Sequence, residues 1–135
     1  MVLVDTNVLV YLLIEGDRTR QAQDLFSCDP EWKSEGFLLV EMSNVLATYA
    51  RTGALDAGQA RRLLAQAERA LRGVVNVPHA SALEAAQRFG VSAYDARFLV
   101  AAEKLGARLV TEDARLRSAA PALTESLEEA IARRR

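Results

Sequence analysis

Short apolar runs alternate along this chain with longer alanine- and leucine-rich segments, and no other feature narrows the fold as much. Val2-Leu3-Val4 is apolar at every position, as in a strand covered on both faces. Val74-Val75-Asn76-Val77, closed by Pro78, and Ala107-Arg108-Leu109-Val110, after Gly106, read as two more strands. Weaker strands are expected near residues 31–34 and 122–124. Residues 18–27, 37–51, 56–72, 80–89 and 93–105 repeat apolar positions every three or four residues, the period of a helix buried along one stripe. Gly53 divides the second of these from the third, Asp56 is placed to N-cap the third, and Gly106 to stop the last. Strands that alternate with helices pair in parallel through crossovers. The expected fold is therefore α/β: a three-layer α/β/α sandwich around a short central parallel sheet. At 135 residues and half hydrophobic, the chain suits a single domain over 1–135 with its own core.

The charge balance advertises no polyanionic partner. Seventeen basic against 18 acidic side chains leave a net charge of −1, so attraction to RNA or DNA would have to come from a local patch or a metal. Cys28 is the only cysteine, which excludes an intrachain disulfide and a cysteine-built zinc site and fits a reducing, cytoplasmic setting. The apolar opening lacks a basic leading segment and is interrupted by Asp5 and Asn7, so an unprocessed soluble protein is expected, with no membrane span. No P-loop, GxSxG or dinucleotide fingerprint is present.

Four acids stand in unusual company. Asp5 ends the first strand and Asp113 follows the Arg108–Val110 strand, so both fall at carboxyl ends, where parallel sheets carry their ligands. Glu41 follows the apolar run Phe37-Leu38-Leu39-Val40 and shares a helix stripe with Leu38 and Val45. Asp95 has Phe98, Leu99 and Ala102 three, four and seven residues on. Each has a simpler reading: Asp5 and Asp113 as helix caps, Glu41 as an ion-pair partner of Arg97, Asp95 as a charge favoured by a helix start. Together they converge on one sheet edge, where each pair of charges about 5 Å apart would cost roughly 3 kcal/mol at an effective dielectric near 20. A hard divalent cation, Mg²⁺ or Mn²⁺, turns that repulsion into a binding site. Elsewhere the readings are plainer. His79 is expected on the surface, Trp32 and Tyr94 in the packing, Arg61, Arg62, Arg69 and Arg72 on a solvated helix face, and the Arg133-Arg134-Arg135 tail as a solvated end.

These four segments, in this order, resemble PIN-domain ribonucleases, especially the VapC-like toxins of bacterial toxin–antitoxin modules. Val4-Asp5-Thr6-Asn7-Val8-Leu9 is similar to the family's first-strand motif, and Val40-Glu41-Met42-Ser43-Asn44-Val45-Leu46 to its glutamate-bearing helix. Tyr94-Asp95-Ala96-Arg97-Phe98-Leu99 matches the segment that supplies the third acid, and Leu109-Val110-Thr111-Glu112-Asp113 the fourth-strand motif. The resemblance spans nearly the whole chain. It implies metal-dependent endonucleolytic cleavage of RNA to 5′-phosphate and 3′-hydroxyl ends, a homodimer, and an antitoxin whose tail blocks the groove. Asp5, Glu41, Asp95 and Asp113 would hold one or two Mg²⁺ or Mn²⁺ ions, and a metal-activated water would attack phosphorus. Asn7 and Thr111 would hold the acids or a metal water through hydrogen bonds, with Thr6 as a helix-start residue. Two further readings stay open: a catalytically idle PIN-like domain that binds RNA or protein, and another Mg²⁺-using α/β protein. Receiver domains want an acidic pair after strand one and a lysine after the last strand. Haloacid-dehalogenase-type phosphatases want Asp-x-Asp-x-Thr, where this chain has Asp5-Thr6-Asn7-Val8.

Overall fold

Five strands form one sheet in a computed structural model that describes residues 1–135. They are β1 (Val2–Val4), β2 (Trp32–Glu35), β3 (Leu71–Val75), β4 (Leu109–Val110) and β5 (Thr124–Glu125), ordered β3-β2-β1-β4-β5, with every neighbouring pair parallel. Helices α1 (Thr6–Leu13) and α2 (Thr19–Cys28) lead from β1 to β2, and α3 (Phe37–Thr52) and α4 (Ala57–Ala70) from β2 to β3. The crossover from β3 to β4 carries α5 (His79–Phe89) and α6 (Ala93–Leu105), α7 (Ala114–Ala119) precedes β5, and α8 (Leu127–Arg134) follows it. This is the expected α/β/α arrangement. No helix is long and apolar enough to cross a membrane.

The order of the strands decides where a ligand can sit. From β1 the chain builds outward through β2 and β3, then returns to lay β4 on the other side of β1. Successive connections part at that point, leaving a crevice outside the carboxyl ends of β1 and β4. All three residues of β1 and both of β4 are fully buried, as their uninterrupted apolar sequences require. They anchor a core that includes Leu9, Leu25, Trp32, Leu38, Phe98, Leu99 and Leu127. Trp32 packs edge-on against Phe26 with ring centroids 5.3 Å apart, so its packing assignment holds.

Local signals place most boundaries within a residue or two. Asp56 caps α4 as expected, accepting from Gln59 N at 2.8 Å while the Gln59 side chain accepts from Asp56 N at 2.9 Å. Gly106 ends α6 at φ +60°, a left-handed conformation that suits glycine. One element moves further: the strand expected at Val74–Val77 is β3 at Leu71–Val75, which starts directly where α4 stops at Ala70, with no loop between. Leu71 turns to φ −83°, ψ 125°, and Arg72 points to solvent from the strand rather than from a helix face. Arg61, Arg62 and Arg69 do lie exposed along α4.

The arginine tail also differs from expectation. Glu125, at the carboxyl end of β5, is only 4% exposed. Arg133 meets it with two hydrogen bonds, Nη2 to Oε1 at 2.7 Å and Nε to Oε2 at 3.0 Å, and this pairing holds the guanidinium's pKa above its ordinary value. Arg134 donates to the Met1 carbonyl at 3.0 Å and ties the two chain ends together. Burial of Glu125 is what recruits the tail. Since the Arg133 side chain is 53% exposed, solvent screens part of the pair, and Arg133→Ala is expected to cost about 1–2 kcal/mol. An unchanged urea midpoint would return the tail to a solvated end.

Candidate active site

The crevice at the carboxyl ends of the strands is a cleft of about 520 Å³, and Asp5, Glu41, Asp95 and Asp113 all line it, with Thr6 and Asn7. Four separate elements deliver the four acids. Asp5 stands between β1 and α1, where its Oδ1 accepts from Val8 N at 3.1 Å and caps the helix. Asp113 stands between β4 and α7, and its Oδ1 accepts from both Arg115 N (3.0 Å) and Leu116 N (3.2 Å). Both are thus helix caps, as the simpler reading held, and both lie on the cleft. Capping occupies one oxygen of Asp113 and leaves Oδ2 uncommitted.

Glu41 lies in the second turn of α3, half-buried, and accepts a 2.7 Å hydrogen bond from the Thr6 hydroxyl. Thr6 does more than start a helix: it reaches from α1 to α3 and holds one oxygen of Glu41. Asp95 sits in the first turn of α6, whose cap is the Ser92 hydroxyl accepting from Asp95 N at 3.0 Å. Thr111 is fully buried behind the cleft, where its hydroxyl accepts from Asp113 N at 3.1 Å, and its nearness favours the charged form of Asp5. Asn7 is exposed on the cleft wall and makes no hydrogen bond with any of the four acids.

The acids feel one another. Burial pushes the Asp5 carboxyl up to about 6, and the negative charges of Glu41 and Asp113 push the same way, against the Thr111 and Val8 hydrogen bonds. Burial also raises Asp95, with the charge of Asp113 adding to it. The side chains do not form a closed cage, since no three acidic, histidine or cysteine groups approach closely enough to enclose one ion. The donor set is nonetheless all hard oxygen, with a buried acid whose charge is uncompensated by any cation of the protein. That chemistry fits Mg²⁺ or Mn²⁺, which retain water among their ligands, better than a softer metal.

Arg97 does not pair with Glu41. It pairs with Glu35, a buried acid (1% exposed) that the sequence reading passed over. Glu35 ends β2 and accepts from Phe37 N (2.7 Å), Val77 N (3.2 Å) and Arg97 Nε (3.2 Å). Arg97 Nη2 donates to the Val77 carbonyl at 2.8 Å, and Nη1 lies 3.4 Å from Nδ1 of the exposed His79. This network fastens Glu35 and the start of α3, four residues before Glu41, to Arg97 in α6, two residues after Asp95. The available signal was Glu35's place at the end of a strand, the same signal that singled out Asp5. Tyr94 also departs from its packing assignment: it is 63% exposed, stacked on Phe37 at the cleft rim.

Comparison with known proteins agrees with this fold. The chain matches the family model described as PIN domain over residues 2–121. It is 29% identical over 124 residues to a protein of Pyrobaculum aerophilum named Ribonuclease VapC3, spanning 89% of this chain and 95% of that one. The crystal structure of PAE2754, also from P. aerophilum, superposes with a TM-score of 0.79 at 23% identity, over 98% of this chain and 93% of that chain. With the parallel sheet, the strand-end acids and a match along nearly its whole length, the chain belongs to the PIN domain family.

Proposed function

We propose that this protein is a Mg²⁺- or Mn²⁺-dependent endoribonuclease, the toxin of a toxin–antitoxin pair. The observation that carries the reading is the meeting of Asp5, Glu41, Asp95 and Asp113, from four segments up to 108 positions apart, on one cleft at the switch point of the sheet. The relative named Ribonuclease VapC3 supports RNA as the substrate class. The four carboxylates would hold the ion, Thr6 fixing Glu41, and Thr111 fixing the backbone of Asp113. A divalent ion held there would supply positive charge to the phosphodiester and lower the pKa of water toward neutrality, making a nucleophile available. The chain itself orients the acids and needs no histidine base. Its one histidine, His79, lies outside the cleft. The antitoxin, the homodimer and the cytoplasmic location belong to the same reading.

The absence of a ready cage among the acids favours one competitor, a PIN-like domain that binds without cutting. The two readings part in a simple incubation of total RNA with the protein and Mn²⁺. The expected result is discrete cuts with 5′-phosphate ends that disappear in EDTA. RNA left whole in Mn²⁺, while still bound, would favour the idle domain.

A further inference from the structure

The rim of the acidic cleft carries an apolar surface that the carboxylates do not account for. Tyr94, directly before Asp95, and Phe37, four residues before Glu41, stack with ring centroids 5.2 Å apart and planes within 5°. Stacking holds the tyrosine ring in place, yet Tyr94 is 63% exposed, and Val40 beside the pair is 59% exposed. Large apolar side chains this open, clustered at the mouth of a site, mark a surface that something covers. Phe37, Val40 and Tyr94 form a shared wall: the acidic cleft lies on one side and a second cleft of about 380 Å³ on the other. The second cleft is lined by Asn76, His79 and Arg97, and its one acid, Glu35, is paired with Arg97. The Asn76 amide lies over Gly36, where a Cβ would stand 2.3 Å from Asn76 Oδ1, so glycine at the start of α3 makes room for it.

We infer that this second cleft is a nucleobase subsite, in which an unpaired base next to the scissile phosphate stacks on Tyr94 with its edge toward Asn76 and His79. The inference rests on the ribonuclease reading and names what the cleft adds to it. A flat aromatic ring beside hydrogen-bond donors and acceptors is the recognition surface of a base in single-stranded RNA. An aliphatic protein side chain would leave the Asn76 amide and the His79 ring unused. Continuity argues the same way, because the wall that borders the base cleft also borders the acids, so one nucleotide spans both. A base inside a duplex has no free face to offer, and the substrate is therefore single-stranded at the cut.

The test uses an octauridylate carrying one 2-aminopurine, moved position by position, with fluorescence read on mixing with the protein in Mg²⁺. One position, or two adjacent ones, is expected to be quenched. Tyr94→Ala should abolish the quench and weaken binding about tenfold, within the range a lost base–aromatic stack produces. Tyr94→Phe should keep both, and so should Leu83→Ala, which removes an exposed apolar side chain outside either cleft. The Mg²⁺-dependent rise in melting temperature should be the same in Tyr94→Ala as in the parent. Quenching that survives Tyr94→Ala overturns the subsite. Unchanged oligonucleotide binding with a fall in sedimentation mass from dimer to monomer assigns the rim to a protein interface instead. If the parent neither binds the octamer nor shifts its melting in Mg²⁺, the ribonuclease reading fails and the subsite falls with it.

Discussion

Replacing Asp5 with asparagine is expected to stabilise the metal-free protein at pH 7.5 while abolishing RNA cleavage. Asp5 is buried among acids, and its carboxyl titrates near 6 in the fold against 3.8 as an ordinary side chain. Below pH 4 the folded and unfolded chains both carry the proton, and the group costs nothing. As pH rises from about 4 to 6 the unfolded chain ionises first, so stability present at low pH is lost, and above 6 the loss is constant. A shift of this size corresponds to about 3 kcal/mol at most. Asparagine keeps an oxygen for the Val8 N–H and carries no charge, so Asp5→Asn should lose this contribution to the pH dependence over the same window. Urea unfolding of both proteins at pH 4, 5, 6 and 7.5 reads the difference directly. The same substitution removes a carboxylate from the proposed ion site, and cleavage should fall by three orders of magnitude or more. A stabilised and inactive variant is the signature of a residue kept for chemistry at the expense of the fold. Equal or lower stability at pH 7.5 would make Asp5 a cap and nothing else.

Arg97→Ala should act in the opposite sense, destabilising the protein by about 3–5 kcal/mol, because it strands a buried carboxylate without its cation. Glu35 would keep the Phe37 and Val77 N–H groups, which places the cost toward the lower end of that range. The Val77 carbonyl would lose its Arg97 donor as well. Glu35→Gln should cost less, since it removes the buried charge and keeps one acceptor oxygen, although its NH2 then faces either the Phe37 or the Val77 N–H. The comparison is made from urea midpoints of the parent and both variants. Should Arg97→Ala prove no worse than Glu35→Gln, the network would be a solvated pair of little energetic weight. Because these residues join the starts of α3 and α6, their loss should also loosen the spacing of Glu41 and Asp95, and Glu35→Gln should weaken Mg²⁺ response more than it weakens the fold.

How legible all this was depended on how local each signal is. Asp5 and Asp113 were readable because a polar residue at or just past the carboxyl end of a buried strand falls at the ligand-bearing edge of any parallel sheet, whatever the rest of the chain does. The helix caps at Asp56 and Gly106 were readable for the same reason: each is decided within four residues. Glu35 was missed because β2 reads Trp-Lys-Ser-Glu, a mostly polar run, although Ser34 and Glu35 are buried. Their partners are remote: the Ser34 hydroxyl bonds to the Val4 carbonyl 30 residues away, and Arg97 lies 62 residues beyond Glu35. No window of sequence contains both halves of such a pair. The passage from α4 straight into β3 was hidden because Leu71 satisfies the helical period as well as the strand, and only pairing with Trp32 decides between them. The arginine tail looked solvated because Glu125, which recruits Arg133, sits in a two-residue strand with almost no sequence signature. Tyr94 was assigned to packing on its apolar ring, and nothing local says that its partner Phe37 stands at a cleft mouth.

Whether the acids are kept for a cation or merely cap helices is decided by one set of melting curves. The parent protein and Asp95→Asn would be melted without metal and over a Mg²⁺ titration. Burial and the charge of Asp113 raise Asp95 above its ordinary value, so relief of that cost should leave metal-free Asp95→Asn as stable as the parent or more so. Mg²⁺ should then raise the melting temperature of the parent by binding the folded state, and raise that of Asp95→Asn much less. A metal-free Asp95→Asn destabilised by more than about 1 kcal/mol, or equal Mg²⁺ shifts in the two proteins, would contradict the account and make Asp95 a structural residue.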